Sequence, residues 1–147
     1  VNAVKETTMA EPFEMRIELG KVREFARATG SRHPEHTNAE GAVSPATFLM
    51  SSAFWQTAAS SAWPRDRDMR RVLHAEQEFS FPKGPPGVGA VLTGQSRIAD
   101  TVTKAGRRGG ELVFTTLVTE YRDESGELVA EVRQTLVETS KATGADK

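Results

Sequence analysis

The sequence predicts an α+β domain in which a curved antiparallel sheet wraps around one buried helix. Three observations carry that expectation. The stretch from Ala46 to Ala59 mixes aromatic and small side chains without a single charge. From Leu73 onward the apolar period changes from that of a helix to two. The second half is punctuated by short turns rich in Gly, Pro and Asp, which leave room for hairpins and none for crossover helices.

Each element follows in order. Phe13 to Leu19 alternates apolar and polar, a short strand ended by Gly20. Lys21 to Thr29 places Val22, Phe25, Ala26 and Thr29 at helical spacing, with Gly30 as the C-terminal stop. Ser31 to Val43 has no periodicity and holds His33 and His36; it is a loop. Ser44 is a suitable N-cap and Pro45 a suitable first residue for the central helix. On that helix Phe48, Ser52, Trp55 and Ala59 form one stripe, with Ser51, Phe54 and Ala58 beside it. A helix without a charged face is normally buried, and burial of Phe48, Leu49, Phe54 and Trp55 at ~1.5–3 kcal/mol each would make it the main stabilising element.

A strand follows with Leu73, Ala75, Gln77, Phe79 and Phe81 on one face, ended at Pro82, and then a turn over Lys83 to Val88. Ala90 to Lys104 is a second long strand with Ala90, Leu92, Ile98 and Val102 in register. Arg107-Arg108-Gly109-Gly110 is a turn, Leu112 to Tyr121 a third strand, and Asp123 to Gly126 a hairpin signal. Leu128 to Thr139 is the last, with Leu128, Ala130, Val132 and Leu136 inward. The four strands are expected to be consecutive antiparallel neighbours.

At 147 residues and 16.0 kDa the chain suits one domain with a real core. We expect it to span residues 13–139, between loosely held tails at 1–12 and 140–147. A net charge of -1 gives no electrostatic footprint for nucleic acid or an anionic membrane. The absence of cysteine excludes disulfides, thiolate catalysis and sulfur-ligated zinc, and accords with a cytoplasmic protein. No stretch reaches the ~20 apolar residues of a membrane span. Val1 to Pro12 has no apolar core, so it is not expected to be a signal peptide, and Met9 is a candidate natural start.

Four segments then share an order and spacing with a known family: Phe25 to Gly30 with Pro34 beyond it; Ser44-Pro45-Ala46-Thr47-Phe48; Leu73 to Phe79; and Arg97 to Asp100 through Lys104 to Gly110, Phe114 and Gly126 to Ala130. Over roughly Leu19 to Glu138 the chain resembles the MaoC-like dehydratases and (R)-specific enoyl-thioester hydratases, especially their N-terminal, non-catalytic type of domain. The resemblance implies the hot-dog fold, a sheet wrapped around a central helix. Active members carry Gly-Asp-x-Asn-Pro-x-His, which falls on Gly30 to His36 here. Gly30, Pro34 and His36 match, while Ser31 stands at the Asp position and His33 at the Asn position. A serine hydroxyl cannot hold and release a proton near neutral pH without a base to activate it, so losing the carboxylate removes one partner from the acid–base pair.

Candidate site residues carry alternative readings. His36 is either a surviving base or a loop histidine that positions a neighbour. His74 alternates onto the less apolar face, as a cross-strand or interface residue or a substrate contact. Gln77, an amide on the apolar face, needs a partner, either backbone of the central helix or a ligand. Arg107 and Arg108 hold a phosphate or form a solvated turn. No cofactor is expected, and the histidines lack the carboxylate set of a metal site.

The resemblance implies an acyl-CoA or acyl-carrier-protein thioester as ligand. It also implies a homodimer, or a heterodimer with a second hot-dog chain that supplies the intact Asp–His pair. The rival expectations are a self-sufficient hydratase or thioesterase using His36, and a non-catalytic acyl-binding module. A thioesterase would need a carboxylate on the central helix, which has none.

Overall fold

The computed structural model describes residues 9–107 and 110–141. In chain order the regular elements are β1 (Phe13–Arg16), α1 (Leu19–Ala28), β2 (Val72–Ser80), β3 (Val91–Ala105), β4 (Glu111–Arg122) and β5 (Leu128–Thr139). The strands make one antiparallel sheet in the order β1-β3-β4-β5-β2. The α+β architecture is the expected one.

α1 forms as its spacing dictates. Val22 and Ala26 are buried on its inner face. Gly30, at φ 74°, turns the chain out of the helix and its N–H donates to the Arg27 carbonyl at 3.1 Å. Residues 9–11, inside the segment expected to be loose, are tied down. Met9 bridges to Arg97, the Ala10 N–H donates to the Ser96 carbonyl at 2.8 Å and the Glu11 N–H to the Ala59 carbonyl at 3.0 Å. The core gathers Met15, Ile17, Val22, Phe48, Leu92 and Tyr121, all at most 1% exposed.

The charge-free segment departs from its expected form. Only Phe48–Phe54 is helical, and it is a 3-10 helix rather than an α-helix over Pro45 to Ala59. Its bonds run three residues back: Phe48 N–H to Pro45 O, Met50 N–H to Thr47 O and Trp55 N–H to Ser52 O, at 2.9–3.0 Å. The Ser51 hydroxyl donates to the Phe48 carbonyl at 2.6 Å, a local side-chain bond of the kind that competes with helix continuation. Ser44 is not the cap. The N-cap position falls on Thr47, and the buried Ser44 Oγ has no hydrogen-bond partner among the described residues. Phe48 and Leu49 are buried as expected, but Phe54 is 88% exposed and Trp55 only half-buried, so the segment stabilises less than a fully covered helix would.

Two further corrections concern the sheet. β2 does not neighbour β3; it lies on the far edge beside β5, with Val72 opposite Glu138 and Ser80 opposite Glu131. The Gly- and Pro-rich stretch after Phe81 is a connection across the sheet, pinned by the Val43–Gly87 bridge and by Ser44 N–H donating to Pro86 O at 3.0 Å. Strict alternation also fails in β2 and β3, because each carries a bulge, at Ala75 and Ala99. An extra residue inverts which face the following side chains use. His74 opposes Leu136 and Gln77 opposes Gln134, so His74 and Gln77 share a face, while Leu73 turns to the other and is 46% exposed. In the same way Val102 parts company with Ile98.

Candidate functional site

The loop after α1 is ordered by its own backbone. Val43 N–H donates to Glu35 O at 2.8 Å, and the half-buried His36 ring places Nδ1 2.8 Å from Val43 O. A carbonyl only accepts, so Nδ1 carries the proton of the neutral ring and Nε2 holds the free lone pair. Ser31 is held differently: its N–H donates to Ala26 O at 2.8 Å, and its Oγ accepts from His33 N–H at 3.5 Å. Ser31 opens into a shallow polar cleft with Arg23, Arg27 and Thr37. The His33 and His36 rings lie 5.7 Å apart, and Glu35 approaches His33 Nδ1 at 3.8 Å. Among the described residues no carboxylate stands within ion-pair distance of His36.

A separate cavity of about 210 Å³ lies between the inner sheet face and the segment from Leu49 to Trp63. Leu49, Leu117, Val132 and Leu136 give it apolar walls, but the sheet side is studded with polar groups. Ser96 Oγ and Thr119 Oγ1 bond each other at 3.0 Å. Gln77 Nε2 donates to Arg133 O at 3.0 Å and its Oε1 lies 3.1 Å from His74 Nε2, so Gln77 is partnered by backbone and imidazole, not by the central segment. Opposite Gln77 stands Gln134, whose amide makes no hydrogen bond among the described residues. Tyr121 lies at one end, with its hydroxyl bonded to Ser52; burial pushes its pKa up to about 12, against the smaller lowering effect of that bond.

The segment that roofs this cavity is fastened to the end of β5. Glu138, 8% exposed, accepts from Arg67 Nη1 at 2.6 Å and faces Arg71 Nη2 at 3.4 Å. Arg71 Nε donates to Thr139 O at 2.6 Å, and Thr139 Oγ1 returns a bond to Arg71 O at 3.1 Å. Between these fasteners and the 3-10 helix sits Trp63, whose indole Nε1 is shut off from solvent with no acceptor among the described residues.

The structure thus brings His74 and Gln77 together beside the cavity and leaves Ser31 and His36 in a loop that contributes nothing to its lining. Arg107 stands exposed in the β3–β4 turn, and Arg108 lies outside the described residues. Among the described residues no cluster of three or more His, Asp or Glu could hold a metal ion, and no helix is long and apolar enough to cross a membrane. Sequence reasoning missed Gln134, Trp63 and Glu138. For Gln134 the signal was present: it is the member of the inward register Ala130, Val132, Leu136 that breaks the apolar pattern.

A 3-10 segment laid by Phe48 and Leu49 against a five-stranded antiparallel sheet, with a cavity between them, is the arrangement of a hot-dog domain. The model of the FAS1-like dehydratase domain region matches residues 5–132, and the chain belongs to that family. It is similar to UPF0336 proteins of Clavibacter michiganensis subsp. michiganensis, 36% identical over 126 residues, and of Streptomyces griseus subsp. griseus, 32% over 126, each match covering 80% of both chains. Among solved structures it resembles the ChsH1–ChsH2 complex of Mycobacterium tuberculosis (TM-score 0.67, 15% identity, 93% of this chain and 87% of that one). It also resembles the C-terminally truncated HadBC (3R-hydroxyacyl-ACP dehydratase) complex of the same organism (0.61, 21%, 90% and 96%). A third likeness is to the (R)-hydratase from A. caviae involved in PHA biosynthesis (0.56, 16%, 92% and 98%). These likenesses bear out the hot-dog fold and the MaoC-like resemblance read from the sequence.

Proposed function

We propose that this chain is the acyl-thioester-binding subunit of a cytoplasmic MaoC-like (R)-specific enoyl-thioester hydratase or 3-hydroxyacyl-thioester dehydratase, working with a second hot-dog chain that supplies the Asp–His pair. The observation that carries the reading is a division within one chain. It has a cavity fit for an acyl group, while the loop that bears the family's acid–base pair presents Ser31 at the acid position and a His36 whose ring, among the described residues, is hydrogen-bonded only to a carbonyl. The two complexes named above are similar in fold and contain two differently named hot-dog chains, which is why a second chain is preferred to a second copy. Phe54 at 88% exposure and Met50 at 42% leave apolar surface for such a partner to cover.

The test is hydration of crotonyl- and longer enoyl-coenzyme A by the purified chain, alone and co-expressed with a second hot-dog protein. General acid–base catalysis is worth about 10²–10⁴-fold, so the lone chain should fall short of the pair by that order, and His36→Ala should leave the pair active. Robust turnover by the lone chain, abolished by His36→Ala, would transfer the case to the rival, a self-sufficient hydratase. One observation favours that rival: the Nδ1–H bond to Val43 O leaves Nε2 oriented as a base.

A further inference from the structure

We infer that the cleft beside Ser31 is a binding site for a phosphate monoester, built at the position where active members of the family carry their Asp. The inference goes beyond the acyl-binding reading and does not depend on it. Arg23, Arg27, Ser31 and Thr37 line the cleft, so among the described residues it holds two guanidinium groups and no carboxylate. Arg23 donates from Nε at 3.0 Å and from Nη2 at 2.7 Å to the Thr37 carbonyl. Thr37 is itself held, its N–H and Oγ1 both donating to Pro34 O, at 2.9 and 3.2 Å. A carbonyl fixes a guanidinium without cancelling its charge, so Arg23 is set in place with its Nη1 donors left over. Arg27 is exposed, and its guanidinium has no hydrogen bond or ion pair among the described residues.

The end of a helix opposes an anion, because its last carbonyls point outward. At the end of α1 those carbonyls are taken. Phe25 O accepts from Thr29 N–H at 3.0 Å, Ala26 O from Ser31 N–H at 2.8 Å and Arg27 O from Gly30 N–H at 3.1 Å. The acids nearest in sequence are engaged elsewhere, Glu24 with Lys21 at 3.3 Å and Glu35 beside His33 at 3.8 Å. Positive charge therefore dominates the cleft, with the Ser31 hydroxyl as a neutral donor. Its oxygen accepts from His33 N–H at 3.5 Å, and its proton has no acceptor among the described residues. An aspartate at position 31 would set a carboxylate in the same cleft and cancel part of that charge. Serine both withdraws the acid and keeps the cleft cationic. A phosphate monoester answers this chemistry, with a charge of about −1.5 to −2 at neutral pH and several acceptor oxygens that guanidinium groups grip in pairs. A carboxylate ligand brings less charge and fewer oxygens, so it fits less well.

Free phosphate and the 3′-phosphate of coenzyme A are two sources of the same group. The experiment follows the backbone amide signals of the full chain by NMR as inorganic phosphate, coenzyme A or dephospho-coenzyme A, which lacks the 3′-phosphate, is added. The amides of Arg27, Ser31 and Thr37 should shift, with coenzyme A acting at about 10-fold lower concentration than its dephospho form. Inorganic phosphate should move the same amides. If it does so and the two coenzymes do not differ, the site stands and its occupant is free phosphate. Ser31→Asp and Arg27→Gln should each abolish the response. Arg27 is exposed, so the urea midpoint of Arg27→Gln should match that of the parent chain. No shift at these amides with either phosphate or coenzyme A overturns the inference, and so does a response that survives both substitutions. The acyl-binding reading stands or falls separately, on the hydration test above.

Discussion

Gly94 is a tightly packed point of the sheet, and replacing it with alanine measures how firmly the inner face is packed. Gly94 lies directly opposite Phe13 across β1 and β3, and the Phe13 ring folds over the bare backbone to meet Tyr121 edge-on at 6.0 Å. A Cβ at position 94 would fall 2.7 Å from Phe13 Cε1 and closer still to Cζ. Ordinary carbon contacts are about 3.5–4.0 Å, so the ring must retreat by roughly 1 Å. It is 7% exposed and wedged against a residue 1% exposed, which leaves two ways out. Pushing into the core costs about 1–3 kcal/mol, and swinging into water forfeits about 1.5–3 kcal/mol of burial. Either route predicts a loss of about 1–3 kcal/mol for Gly94→Ala, read as a lower urea midpoint at unchanged m-value and a fall in Tm of roughly 2–12 °C. In a Phe13→Leu background most of that cost should disappear, since the clash is with the ring. A loss below about 0.5 kcal/mol, or an equal loss in both backgrounds, would refute the packing argument.

The chain contains one tyrosine, so absorbance at 295 nm titrates Tyr121 alone. Its pKa is raised from 10.0 to about 12 in the fold, so between those values the unfolded chain binds fewer protons than the native one. The corresponding stability is complete below pH 10 and is lost as pH rises toward 12; reversible ionisation near pH 10 with the fold intact would contradict this. Glu138→Gln should cost about 1–2 kcal/mol, less than a fully buried pair because Arg67 and Arg71 are each about one-third exposed. Amide exchange should accelerate across residues 61–71 and not in the centre of β3–β4; uniform acceleration would mean that Glu138 does not act as a local fastener.

The fold class was legible because it depends on coarse properties, namely the length of alternating runs, the turn residues between them and one charge-free segment. Strand limits held to a residue or two for β4 and β5, where Asp123 and Gly126 force the hairpin; the Gly126 N–H donates to Asp123 O at 2.9 Å with Gly126 at φ 84°. Strand order was not legible, because β2 pairs with a strand some sixty residues later and nothing local announces that partner. The faces of His74, Leu73 and Val102 were lost to bulges at Ala75 and Ala99, each an ordinary alanine in the sequence. At the candidate site Gln77 was visible as an amide out of place. Gln134, equally out of place, was read past, and Trp63 became meaningful only once its nitrogen proved to be enclosed.

The two rims of the sheet have different fates. On one side the chain consumes part of its own border, since β1 and the Met9 bridge occupy the first half of β3. On the other, among the described residues β2 has a strand neighbour only in β5, and no strand pairs with its outer backbone. Any chain that zips onto that seam uses it up. If the newcomer also offers its β2, the pair shares a two-fold axis and no equivalent seam is left over, so growth by this route halts at two chains instead of running on into a filament.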